Sequence, residues 1–82
     1  MTYDTIKSIN GITEKNIFNP CGFLTFYKNA KINYCNGYMN ISIKNIGLIE
    51  SRVITTRKVT DIKNIVKMTV NNYNDFLRIK NN

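Results

Sequence analysis

The side chains that usually carry catalysis are scarce in these 82 residues. There is no His, and the five carboxylates, Asp4, Glu14, Glu50, Asp61 and Asp75, are scattered along the chain. General acid–base work needs titratable groups held together near their working pH, and this composition offers little material for it. Two cysteines, Cys21 and Cys35, cannot complete a four-ligand zinc site without histidine. An enzyme is therefore not expected, and no cofactor is implied. The abundant chemistry is cationic: twelve Lys and Arg give a net charge of +7 and a pI near 9.7. Residues 44–82 carry +5 of that charge, against +2 for residues 1–43. Arg52, Arg57, Lys58 and Lys63 crowd into one stretch, as a surface for a polyanion would. The most specific run is Asn36-Gly37-Tyr38-Met39-Asn40-Ile41-Ser42-Ile43, a turn pair followed by an aromatic, an amide and alternating apolar residues.

The elements that position these residues must come from a small body. A 9.5 kDa chain makes one domain, residues 1–82, whose own core is marginal. Such domains lean on cross-links, metals or partner subunits. Asn, Ile and Lys supply 14, 13 and 9 residues, a bias that AT-rich codons produce. No three consecutive residues are apolar, so no membrane span or secretory leader is read, and the compartment expected is intracellular with reduced cysteines. Cys35, beside Tyr34 in an apolar alternation, reads as a small core residue.

Spacing of two dominates the middle of the chain. Leu24 and Phe26, Ile32 and Tyr34, then Met39, Ile41 and Ile43 form the pattern of half-buried strands. Turn signals separate them at Asn19-Pro20-Cys21-Gly22, Lys28-Asn29, Asn36-Gly37 and Asn45-Ile46-Gly47. Val53 to Val59 is rich in β-branched residues and suits a strand or a long β-hairpin arm. Tyr3, Ile6 and Ile9 lie at helical spacing before Gly11, predicting a short N-terminal helix over 2–10. The C-terminal stretch reads two ways. Ile62, Val66, Val70, Tyr73 and Leu77 have helical steps, with Thr60 or Asp61 as N-cap. Val66, Met68 and Val70 also alternate, and Asn71-Asn72 is a poor helix interior and a good turn.

The run from Asn36 to Ile43 resembles the first motif of the Sm and like-Sm family, and its Gly-Tyr-Met-Asn form is most similar to the F-type subunits. The resemblance implies a mainly β fold: a short N-terminal α-helix, then a five-stranded, strongly bent antiparallel Sm-like barrel. On that template residues 12–19 form the first strand, 20–22 a turn, 23–35 a long strand bent near Ala30, and 38–50 the third strand. Residues 51–59 become the variable loop, 61–70 the fourth strand, and Phe76-Leu77-Arg78-Ile79 the last. The family's second motif, Ile-Arg-Gly, is missing, and Val70-Asn71-Asn72 or Asn71-Asn72-Tyr73 stands in its place.

What the resemblance implies for function is a subunit of a ring, of seven members in the usual case, binding uridine-rich single-stranded RNA in splicing particles or mRNA decay, with the nucleus favoured over the cytoplasm. Tyr38 would stack on an unpaired base, an interaction worth ~1–3 kcal/mol. Asn40 offers a donor and an acceptor to the edge of a uracil. Asn71 and Asn72 would line the same pocket, and Arg57 and Lys58 would meet phosphates. Neither a membrane nor a small-molecule substrate is expected. A second reading fits the same charge and codon bias: a small basic α+β protein of phage or plasmid type that regulates or inhibits a nucleoprotein complex. Residues 61–79 separate the two, since the ring needs two strands there and the second reading needs a continuous helix.

Overall fold

Four tight turns set the architecture. The computed structural model describes residues 2–80, so Met1, Asn81 and Asn82 of the expected 1–82 domain lie outside the described residues. Strands β2 (Phe23–Tyr27), β3 (Ala30–Cys35), β4 (Tyr38–Ile43) and β5 (Gly47–Val53) follow one another in an antiparallel meander. Each connection falls on a turn signal visible in the sequence. Asn36 and Gly37 take φ of 50° and 81°, the paired left-handed geometry of the tight hairpin that Asn-Gly favours. Lys28 (φ 53°) and Asn45 (φ 68°) make the other two hairpin turns.

The first turn, Asn19 to Gly22, returns the chain onto the sheet with a Gly22 N–H to Asn19 C=O hydrogen bond of 2.9 Å. Gly22 adopts φ +79°, and a Cβ there would lie 1.9 Å from the Tyr34 carbonyl oxygen. Only glycine admits that approach.

Several expectations are overturned. The sheet is open and mixed, not a closed barrel: its order is β1-β2-β3-β4-β5, where β1 (Asp4–Thr5) runs parallel to β2. The expected N-terminal helix is absent among the described residues. Asp4 and Ile6 donate their N–H groups to Gly22 and Leu24 carbonyls at 3.0 and 2.8 Å, so this backbone is spent on the free edge of β2. Only a 3-10 turn, Ile9–Gly11, follows, burying Ile9. Residues 12–19 are not a strand but hold the short helix α1 (Glu14–Ile17), started by a capping box between Thr13 and Asn16. The long strands expected at 23–35 and 38–50 are each split by a turn, and the β-branched run 53–59 leaves the sheet at Val53.

The largest correction is at the C-terminus. Residues expected as a fourth and a fifth strand form one continuous helix, α2 (Val59–Lys80). Its stripe Ile62, Val66 and Val70 is wholly buried in the one core cluster that also holds Ile32, Met39 and Ile41 of the sheet, each side chain contributing about 1.5–3 kcal/mol relative to exposure. Asp61 in the first turn and Arg78 and Lys80 in the last suit the helix dipole. Thr60 and Asp61 sit inside the helix, not at its cap, and Ile62 N–H already bonds the Lys58 carbonyl at 3.1 Å.

Within this stretch the helix continues through Asn71-Asn72, where the Asn71 amide has tertiary partners. Asn71 Oδ1 accepts from Lys28 Nζ at 2.6 Å and lies 3.5 Å from the Tyr27 hydroxyl. Asn74 and Asn29 exchange amide hydrogen bonds at 3.0 Å each way. These contacts clip α2 to the β2–β3 turn. The result is a two-layer α+β domain: one sheet, one long helix across one face, and the core between them.

Candidate nucleic-acid interface

Because α2 covers one face only, the other face of the sheet is left to solvent. Strand alternation decides which residues it displays. Ile32, Tyr34, Met39, Ile41 and Ile43 point into the core, so Lys31, Asn33 and Cys35 on β3, and Tyr38, Asn40 and Ser42 on β4, point outward. On β2 the alternation runs opposite to the expected one. Phe23 and Thr25 are buried, whereas Leu24 and Phe26 lie on the open face, Phe26 at 40% exposure.

Register assembles these residues into rows. Cys35, Tyr38 and Val53 form the first, Leu24, Asn33, Asn40 and Ser51 the second, and Phe26, Lys31, Ser42 and Leu48 the third. Tyr38 is 60% exposed, held up by the Asn36-Gly37 turn beside it. Asn40 Oδ1 accepts from Ser51 Oγ at 2.7 Å, which leaves the two N–H donors of its amide for another acceptor. Tyr3, Asn33, Cys35, Tyr38 and Asn40 border a shallow depression of about 330 Å³.

Four residues along β4, roughly 14 Å at strand rise, lead to a second hollow of about 510 Å³. Phe26, Lys28, Lys31, Ser42 and Lys44 border it. The open face thus carries an aromatic at each end, amides between, and lysines gathered at one end.

The residues expected to form one site are only partly brought together. Tyr38 and Asn40 are neighbours on the open face. Asn71 and Asn72 are on α2, across the sheet from them: Asn71 ties the helix to the β2–β3 turn, and Asn72 borders a groove between α2 and β5. Arg57 and Lys58 lie in the segment between β5 and α2. Arg57 Nη1 donates to the Tyr34 hydroxyl at 3.0 Å, and its guanidinium stands 5.9 Å from the Phe18 ring centroid, which makes it a fastening for that segment. Lys58 donates its backbone N–H to Thr56 Oγ1 at 3.2 Å. Cys35 is exposed, not a core residue, since Ile32 and Tyr34 set the opposite phase on β3. The sequence reading missed Phe26, Lys31, Asn33 and Lys44. The signal for two of them was present: Lys31 and Asn33 alternate against Ile32 and Tyr34.

Among the described residues no cluster of metal-ligating side chains occurs, and no helix is long and apolar enough to cross a membrane. Compared with models of known families, with curated proteins and with solved structures, the chain matches none. The Sm resemblance had placed strands at 61–70 and 76–79, the pair through which such rings close, and α2 occupies both.

Proposed function

We propose that the protein is a binding module for single-stranded nucleic acid, uridine-rich RNA being the first candidate, and that the open face of the sheet is the platform. One observation carries this reading: Tyr38, Asn33, Asn40, Phe26 and Lys31 share an uncovered sheet face, in register across three strands. Soluble sheets normally dress a solvent face in polar side chains, and exposed rings interleaved with amides and a lysine cluster are what base stacking with backbone attraction requires. Tyr38 stacks on one base, Asn40 offers its free amide protons to that base or the next, and Phe26 receives a base near the other end. Lys31 and Lys44 face the phosphates. The continuous α2 favours a module that acts outside an Sm-type ring, or one acting on a nucleoprotein complex.

The test is fluorescence anisotropy with labelled oligo(U), oligo(dT) and a duplex control. Tyr38→Ala is expected to weaken oligo(U) binding by roughly 5- to 150-fold, the equivalent of ~1–3 kcal/mol of stacking, with an unchanged circular dichroism spectrum. Tyr38→Phe should keep most of the affinity, and Asn72→Ala, on the other side of the sheet, all of it. Equal binding by wild type and Tyr38→Ala removes the platform. A wild type that prefers the duplex removes the single-strand reading.

A further inference from the structure

Among the described residues the outer edge of β5 has no partner strand, because the sheet order ends there. Such edges are normally shortened, charged throughout or covered. This one is a strand of seven residues, Gly47-Leu48-Ile49-Glu50-Ser51-Arg52-Val53, flanked by exposed apolar side chains. Leu48 and Val53 are each 62% exposed on the open face. On the helix side of the sheet, α2 presents a second stripe, apolar except at Asn72. Ile65, Met68, Asn72, Phe76 and Ile79 step by three, four, four and three, so they share one face of the helix. Of these, Met68, Phe76 and Ile79 are 63%, 56% and 72% exposed. Ile65, Met68 and Asn72 border the groove beside β5 together with Glu50 and Arg52.

The strand's hydrogen-bonding phase follows from one contact. Ile54 N–H donates to the Gly37 carbonyl, making 37 and 54 a bonded pair, and such pairs alternate along an antiparallel ladder. Arg52 and Glu50, paired with Met39 and Ile41, therefore direct their backbone groups toward β4. Ser51 and Val53 direct theirs outward. Beyond the irregularity between Ile41 and Ser42, where Ile49 is the extra residue, Leu48 is again directed outward.

From this pattern we infer that the protein forms a two-fold homodimer in which β5 pairs antiparallel with β5 of a second copy, centred on Ser51. A symmetric pairing about Ser51 sets Glu50 of each chain opposite Arg52 of the other, on the helix side of the sheet. With Ile49 kept as the extra residue, it sets Leu48 opposite Val53 on the open side. Both ion pairs and both apolar pairs form in the one register that also matches the outward-directed backbone of Ser51. No other centre gives opposite charges: a pairing centred on Glu50 or on Arg52 puts like charges face to face, which is unfavourable. The two-fold axis stands perpendicular to the sheet, so the two sheets continue into one another. Both α2 helices then lie on the same side, their Met68 stripes toward the shared seam. The second copy is the occupant because the edge is complementary to itself in charge, apolarity and hydrogen-bond phase at once. The inference stands independently of what binds the open face.

Sedimentation equilibrium or light scattering on the full chain tests it, with circular dichroism to verify the fold of each variant. The wild type is expected near twice 9.5 kDa. Glu50→Arg and Arg52→Glu, each alone, should fall to the monomer mass. The double variant Glu50→Arg/Arg52→Glu should recover the dimer, since the swap restores opposite charges across the axis. Ser51→Pro removes the outward N–H at the axis without touching the inner ladder, and should also give folded monomer. A wild type that stays monomeric up to high concentration overturns the dimer. Single charge reversals that remain dimeric, or a double variant that stays monomeric, overturn this register.

Discussion

Gly22 concentrates at one position what the sheet demands of its first turn. Its φ is +79°, and an added Cβ would meet the Tyr34 carbonyl oxygen at 1.9 Å and the Cys35 Cα at 2.8 Å. Both obstacles are backbone, so neither can swing away. Gly22→Ala must push β2 off β3, and the expected cost is at least ~2–3 kcal/mol, read as a lowered urea midpoint. A midpoint within experimental error of the wild type would mean that the turn does not approach β3 as closely as described. Gly47, also at positive φ but with open space around the Cβ position, is the contrasting site: Gly47→Ala carries only the dihedral strain, about 1 kcal/mol. At this scale the sequence was informative about where the chain turns, because Asn-Gly and Asn-Pro-Cys-Gly carry their reason locally. It was not informative about which face Tyr38 and Asn40 share with Phe26. That depends on Phe23 and Thr25 winning the core positions on β2, and an apolar Leu24 and Phe26 on the outside looks the same in sequence as the reverse.

At the scale of elements, the stretch 59–80 had two local readings, and helical periodicity carries the buried one. Ile62, Val66 and Val70 are wholly buried, while Met68, which alternates with Val66 and Val70 in the strand reading, is 63% exposed. The two arrangements predict different mutants. On a strand, Val66, Met68 and Val70 would share one face and cost alike when truncated. On α2, Val66→Ala and Val70→Ala should each lose roughly 1–3 kcal/mol of stability. Met68→Ala should lose less than about 0.5 kcal/mol when unfolding is followed at low concentration, where association contributes nothing. Equal losses at all three positions would contradict the helix. What the strand reading underrated was tertiary rescue of Asn71, whose amide gains Lys28 and Tyr27 as partners only after β2 and β3 have formed. The N-terminal segment failed in the opposite sense. Tyr3, Ile6 and Ile9 do have helical spacing, but the free edge of β2 offers carbonyls to Asp4 and Ile6. That competing partner is remote in sequence and invisible to a local pattern.

For the whole molecule, a net charge of +7 spread over so small a body attracts any polyanion, and salt dependence separates that general pull from the platform. Lys31 and Lys44 border the hollow beside Phe26, whereas Lys63 and Lys67 belong to α2, on the far side of the sheet. If the open face holds the strand, oligo(U) binding should fall linearly on a log–log plot against salt. Each phosphate contact removed should lower the slope by about 0.7. The variant Lys31→Ala/Lys44→Ala is then expected to lose about 1.4 units of slope, while Lys63→Ala/Lys67→Ala leaves the slope unchanged. The outcome is diagnostic because both pairs remove the same formal charge. A model in which net charge alone drives binding predicts equal changes, and a model in which the strand lies along α2 predicts the reverse order. Stacking on Tyr38 adds a part that salt does not remove, so the wild type should keep residual oligo(U) affinity at high salt and Tyr38→Ala should not. Titrations of the wild type and these three variants across a salt series resolve where the strand lies and which part of the attraction is charge.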